Sequence, residues 1–208
     1  MKQLGTAASN PSIRGRHPAS RAPSLISNAK NHNPHMLTVQ RCEVPLHSFL
    51  RQYKDGPGYA DCYVTQIPGT VTQAAYIEAF YTSPLFKIER TLLHYLASKP
   101  ATDADAKALA GGAANRFSAW RVETQSSTEL LLEDFTGRTR SWLMAVPAPL
   151  DNNLPGTLLY FGSAVVPLSG QGAQSVGWLF HALLGFHRPY SRLLLRAACL
   201  RVRPSNRN

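Results

Sequence analysis

Acidic residues are missing from both ends of this 208-residue chain. Residues 1–41 hold six Lys or Arg and no Asp or Glu, and six Arg follow Asp151 with no further acid. Residues 42–151 carry 10 basic against 12 acidic side chains, so the formal charge of +10 belongs to the ends of a nearly neutral body. A domain that reads nucleic acid carries its charge on the folded face that does the reading. This distribution argues against nucleic acid as a partner. It leaves open a weaker alternative, an interaction protein whose basic ends are drawn to a polyanion or an anionic membrane surface.

Cysteine is scarce: Cys42, Cys62 and Cys199 are odd in number and have no CxxC spacing. With no secretory signal ahead of them, free thiols in a reducing, cytoplasmic setting are expected, and neither a metal nor a cofactor. A long apolar run is also lacking. The most apolar segment, beyond residue 176, is interrupted by His181, His187, Arg188 and Arg192, whereas a membrane span needs about 20 mostly apolar residues. No repeat recurs at a fixed period. Gly170-Gln171-Gly172 lacks the third glycine of a dinucleotide loop, and Ser163 in Phe161-Gly162-Ser163-Ala164 sits inside a strand pattern, not on a nucleophile elbow. Charged residues make up 16%, low against an average of about 25%.

What is present reads as one domain with appendages. Residues 1–37 are rich in Asn, Ser, Pro and Arg without helical period and read as a disordered basic leader, with Met36 as an internal start. Residues 38–203 are expected to form the single domain, and 204–208 a disordered tail. After the turn Asp55-Gly56-Pro57-Gly58, Tyr59–Ile67 alternates like a strand. A helix capped by Thr70 or Thr72 follows, then a second from Pro84 to Ala97 and a short helical turn from Thr102 or Asp103 that stops at Gly111-Gly112. Two strands over Phe117–Thr124 and Glu129–Phe135 lead into the most strongly patterned stretch. There Thr139–Val146 and Thr157–Val166 form an antiparallel pair around a Pro- and Asn-rich loop. Five strands are thus expected. A helical pattern from Val176 to Leu200, broken or kinked at Pro189, closes the chain.

Phe80-Tyr81-Thr82-Ser83-Pro84 ahead of a Leu-rich helix, Thr139-Arg140-Ser141-Trp142-Leu143 on a strand, and Gly185-Phe186-His187-Arg188-Pro189-Tyr190 carry a resemblance. Over about Tyr59 to Val202 the chain resembles the START-like, Bet v 1-type helix-grip proteins of the SRPBCC superfamily, and among them the bacterial domain of unknown function 2867. The resemblance implies an α+β fold in which a curved antiparallel sheet grips a long C-terminal helix, with two short helices after the first strand. It also implies a cavity between sheet and helix for a small apolar or amphipathic molecule.

Side chains alternate across a strand, so Arg140, Trp142 and Met144 share one face of the first paired strand, and Tyr160 shares a face of the second with Gly162 and Ala164. Arg140 is the candidate for a ligand carboxylate or phosphate, through its planar fork; the competing reading is a cross-strand ion pair with Glu133-Asp134. Trp142, Met144 and Tyr160, with Phe180 and Leu183 from the last helix, are the candidate apolar lining of a ligand cavity. Aromatics of this kind more often fill a core. An enzyme on the same fold, a hydrolase or cyclase using Arg140 or Tyr160, is the alternative; no catalytic residue is singled out.

Overall fold

The computed structural model describes residues 37–150, 153–166 and 177–202, except for the side chains of 92, 93, 96, 97 and 177–188. In chain order the elements are β1 (Gln40–Arg41), α1 (Arg51–Lys54), β2 (Tyr59–Pro68), α2 (Gln73–Tyr81), α3 (Pro84–Ala97), α4 (Asp103–Ala110), β3 (Arg116–Phe117), β4 (Trp120–Gln125), β5 (Glu129–Asp134), β6 (Thr139–Pro147), β7 (Gly156–Val165) and α5 (Gly177–Arg201). The fold is α+β: seven antiparallel strands form one open sheet in the order β1-β2-β7-β6-β5-β4-β3.

Local chemistry sets the boundaries. Thr72 Oγ1 accepts from Ala75 N (3.2 Å) at the start of α2, and Ser83 Oγ accepts from Phe86 N (3.3 Å) to begin α3 at Pro84. Thr102 and Asp105 form a reciprocal capping box on α4, which ends where Gly112 takes φ +72°. Asp134 Oδ1 accepts from Arg138 N (2.8 Å) and Thr139 N (2.9 Å), and with Gly137 at φ +72° it reverses the chain between β5 and β6.

The five expected strands become seven. Phe117–Thr124 is split into β3 and β4 because Ser118 takes φ +53° and turns the chain. The segment around Pro45, too broken to assign from its pattern, supplies the two-residue β1, with Gln40 opposite Val64 and Arg41 opposite Tyr63. At the sheet centre β7 pairs with β2 from Val165↔Tyr59 to Gly156↔Pro68, and with β6 from Val165↔Thr139 to Thr157↔Pro147.

The two faces of this sheet are covered differently. Tyr63, Ile67, Leu130, Leu132, Leu143, Ala145, Leu159 and Phe161 turn to the helical side and join the main core. There α2 lies buried by sheet and helices together, and its residues face inward nearly all round, as a central helix must. Phe80 meets Phe161 at 4.9 Å, Tyr81 meets Phe86 at 4.8 Å and Phe117 at 5.0 Å between ring centroids. From α5, Leu194, Leu195, Ala198 and Cys199 complete that core. The opposite face carries a smaller cluster: Ala60, Cys62, Leu131, Trp142, Met144 and Ala164, closed by Val44 and Leu50 from the segment preceding β2. Gly162 makes this closure possible, since a Cβ there would stand 2.5 Å from Leu50 Cδ2 and 2.9 Å from the Asp61 carbonyl oxygen.

Candidate functional site

Arg140, Trp142, Met144 and Tyr160 do share one face of the sheet, but it is the face covered by residues 42–55, whereas the described part of α5 packs on the other. A cavity between sheet and C-terminal helix is therefore not lined by these four side chains. Phe180 and Leu183 lie outside the residues whose side chains are described.

Arg140 is 8% exposed and spends its guanidinium inside the protein. Its Nε donates to Glu123 Oε2 (2.5 Å) and to Tyr53 Oη (3.0 Å), Nη1 to the Gly137 carbonyl (2.8 Å), and Nη2 to Glu133 Oε1 (2.9 Å). The Tyr53 hydroxyl also bonds Glu123, and its ring lies 4.9 Å below the guanidinium carbon. Burial disfavours the Arg140 charge, yet the bonds to Tyr53 and Glu123 outweigh it and hold its pKa above the ordinary value. The cross-strand ion pair is thus what the structure contains. It lies beneath residues 42–55, buried, and not at an open rim.

Trp142 is fully buried and donates Nε1–H to Glu129 Oε2 (2.8 Å), which also accepts from Phe49 N (2.8 Å). Met144 packs in the same cluster. Tyr160 stacks at a tilt on Trp142, ring centroids 6.1 Å apart, and burial pushes its pKa up to about 12. A hydroxyl held that firmly protonated is a poor general base at neutral pH.

A separate concavity opens at the far edge of the sheet. The β3–β4 turn, the β5–β6 turn and the connection from α3 to α4 enclose a cleft of about 440 Å³ lined by Lys99, Arg116, Trp120, Arg121, Glu133 and Phe135, among others. Ser118 Oγ donates to the Lys99 carbonyl (2.8 Å) and ties two of its walls together. Carboxylates in the cleft are already engaged. Glu133 receives Arg121 and Arg140, and Asp134 receives the backbone of Arg138 and Thr139 and the hydroxyl of Thr136. Lys99 and Arg116 have no acidic partner among the described residues, and Lys99 Nζ sits 5.9 Å above the exposed Phe135 ring. Trp120 adds a buried indole N–H that finds no acceptor among the described residues. Such an orphan costs about 1–3 kcal/mol, unless water or a ligand supplies the acceptor.

Arg140, Trp142, Met144 and Tyr160 do not line this cleft, whereas Glu133 and Asp134, the partners expected for Arg140, do. Lys99 and Arg116 are 17 positions apart with α4 between them, and no spacing rule joins them. The one local sign is the polar turn after β5, Asp134-Phe135-Thr136-Gly137, which raises a large aromatic residue into solvent. No helix among the described residues is long and apolar enough to cross a membrane, and no His, Cys, Asp and Glu side chains among them gather as a metal site. No protein-family model matches the chain, and none of the curated proteins matches it.

Proposed function

We propose that the chain is a small-molecule-binding protein of helix-grip type whose ligand is an amphipathic anion, held in the cleft between the β3–β4 and β5–β6 turns. A carboxylate or phosphate group lies between Lys99 and Arg116, and the apolar body rests against Phe135. The observation that carries this reading is a pair of cations without acidic partners among the described residues, in a cleft that Trp120 and the exposed Phe135 also line and whose carboxylates are spent. Its volume falls within the roughly 300–1,000 Å³ of small-molecule sites. The order of elements, with α5 laid on one face of an antiparallel sheet, supports the helix-grip assignment. Where α5 is described its residues fill the space over the sheet with Tyr76, Phe80 and Phe161, so the cleft and not that interface is the better seat.

Binding to the native state alone raises its melting temperature. Aryl and acyl carboxylates and aryl phosphates at about 100 times Kd are expected to stabilise by about 2.7 kcal/mol, which for this size is a rise of roughly 5–10 °C. Neutral amides of the same bodies should give little. The shift should shrink at least tenfold in apparent affinity in the Lys99→Gln/Arg116→Gln variant, whose exposed substitutions leave the fold intact. No shift with any acid, or an undiminished one in that variant, removes the proposal.

A further inference from the structure

Cys42 and Cys62 are 20 positions apart in a sequence whose spacing gives no reason to join them, yet the fold lays them side by side. The ladder that pairs Arg41 with Tyr63 continues one step, Cys42 N donating to the Cys62 carbonyl at 3.0 Å. Their sulfurs stand 3.1 Å apart, closer than an ordinary non-bonded sulfur contact and about 1 Å from the bonded separation. Cys62 is buried in the cluster beneath residues 42–55, whereas Cys42 is partly exposed. Cys199, the remaining thiol, is buried in the helical core away from both.

We propose that Cys42 and Cys62 form a redox pair that peroxide closes to a disulfide, fastening residues 42–55 to the sheet. The Cys42 thiolate attacks one peroxide oxygen; the O–O bond breaks, hydroxide leaves and is protonated to water, and Cys42 becomes a sulfenic acid. The Cys62 sulfur then attacks the Cys42 sulfur. The S–S bond forms, the S–O bond breaks, and the departing hydroxide takes the Cys62 proton as a second water. Two thiols lose two electrons in all, and one hydrogen peroxide is reduced to two waters. The order of attack follows from access: Cys42 is partly exposed and meets the oxidant, whereas Cys62 is buried behind it. Burial lifts Cys199 to about 12, and it should remain a thiol throughout.

The consequence lies in the segment that the bond would hold. Residues 42–55 bring Leu50 onto Gly162, Phe49 N onto Glu129 and Tyr53 onto Arg140. In the dithiol form this strap is held by those contacts, by the packing of Val44 and by the Cys42–Cys62 backbone bond, none of them covalent. In the disulfide form a 20-residue loop is closed covalently, which restricts the unfolded chain.

The test uses the full chain treated with hydrogen peroxide or with a phosphine reductant, then denatured and alkylated. Reduced protein should take up three alkyl groups, and oxidised protein one, on Cys199. A peptide joining Cys42 to Cys62 should appear, with a mass about 2 Da below the sum of the two thiol peptides. The melting temperature should rise by roughly 5–10 °C on oxidation, and Cys42→Ser, at the partly exposed position, should abolish that rise without lowering the reduced protein's melting temperature appreciably. Alkylation of both Cys42 and Cys62 after peroxide overturns the proposal. So does conversion of Cys42 to a sulfinic acid with Cys62 still free, or a disulfide found only between two chains.

Discussion

The two faces of the sheet are closed by different physics. On the helical side the seal is apolar bulk: Tyr76, Phe80, Tyr81, Phe86, Phe117 and Phe161 interlock with Leu194 and Leu195. On the strap side, residues 42–55, a short segment sets Val44 and Leu50 into a small apolar cluster and is fastened besides by charge at the buried Arg140, with Glu123, Glu133 and Tyr53, and at the buried Glu129, with Trp142 and the Phe49 amide. A helix layer buries enough area to hold by the hydrophobic effect alone, at roughly 25 cal/mol per Å². A strap of 14 residues with a single helical turn buries less. Directional bonds add to its hold, and each must be satisfied, because a buried charge left alone is costly.

That contrast predicts different responses to damage. The largest effect is expected on the helical side: Phe80→Ala, which removes a fully buried ring with four aromatic neighbours, should cost about 4 kcal/mol and lower the cooperative transition of the whole protein. Arg140→Met on the strap side should cost about 3 kcal/mol, because it leaves Glu123 without a counter-charge among the described residues and Glu133 with Arg121 alone. Chemical denaturation of both variants checks this, and a double variant with Glu123→Gln sharpens it. If the strap is held by charge, part of the Arg140 loss should return in the double variant; simple additivity would show that the pair is not coupled.

A third variant breaks the strap without touching a charge. Gly162→Ala should cost about 2 kcal/mol, since the new methyl meets Leu50 and the Asp61 carbonyl. Limited proteolysis should then cut within residues 42–55 while the helical core stays resistant. Equal protection of strap and core would remove the distinction.

The smallest effect concerns the outer helices. The side-chain hydrogen bonds from Lys87 and then Arg90 lower the Asp103 pKa below its ordinary value and tie α3 to α4. A carboxylate with a depressed folded pKa stabilises above its unfolded value, near 3.8, and that stability is lost as pH falls through the depressed one. The side chain of Asp103 is 46% exposed, so screening limits the term to a few tenths of a kcal/mol. Comparing the wild type with Asp103→Asn in urea should show a difference at pH 6 that vanishes by pH 2. A difference that persists at pH 2 would mean capping or packing, not charge, is at stake.

Much of this architecture could be read from the chain. The alternation over Thr139–Val146 and Thr157–Val166 announces the central strand pair, and Thr72, Pro84, Thr102 and Gly112 mark helix ends where the structure has them. These signals are local: one cap or one period of two residues is decided within a few positions. The strap left no such trace, because Pro45 and a four-residue helix carry no period. Arg140 was legible as a residue of interest, with an ion pair to Glu133 as one of its two readings. What decides for the pair and buries it are Glu123 and Tyr53, 17 and 87 positions away.

By itself, then, the sequence determined the α+β class, the order of the longer elements from β2 onward and the near-neutral body with basic ends, since composition and period act at short range. Which face of the sheet each strand turned to which cover was a tertiary decision. So were the meeting of Lys99, Arg116 and Trp120 in one cleft and of Cys42 with Cys62 across a ladder. These contacts join positions far apart in the chain, and their geometry exists only once packing of the helical core has fixed the register of every strand.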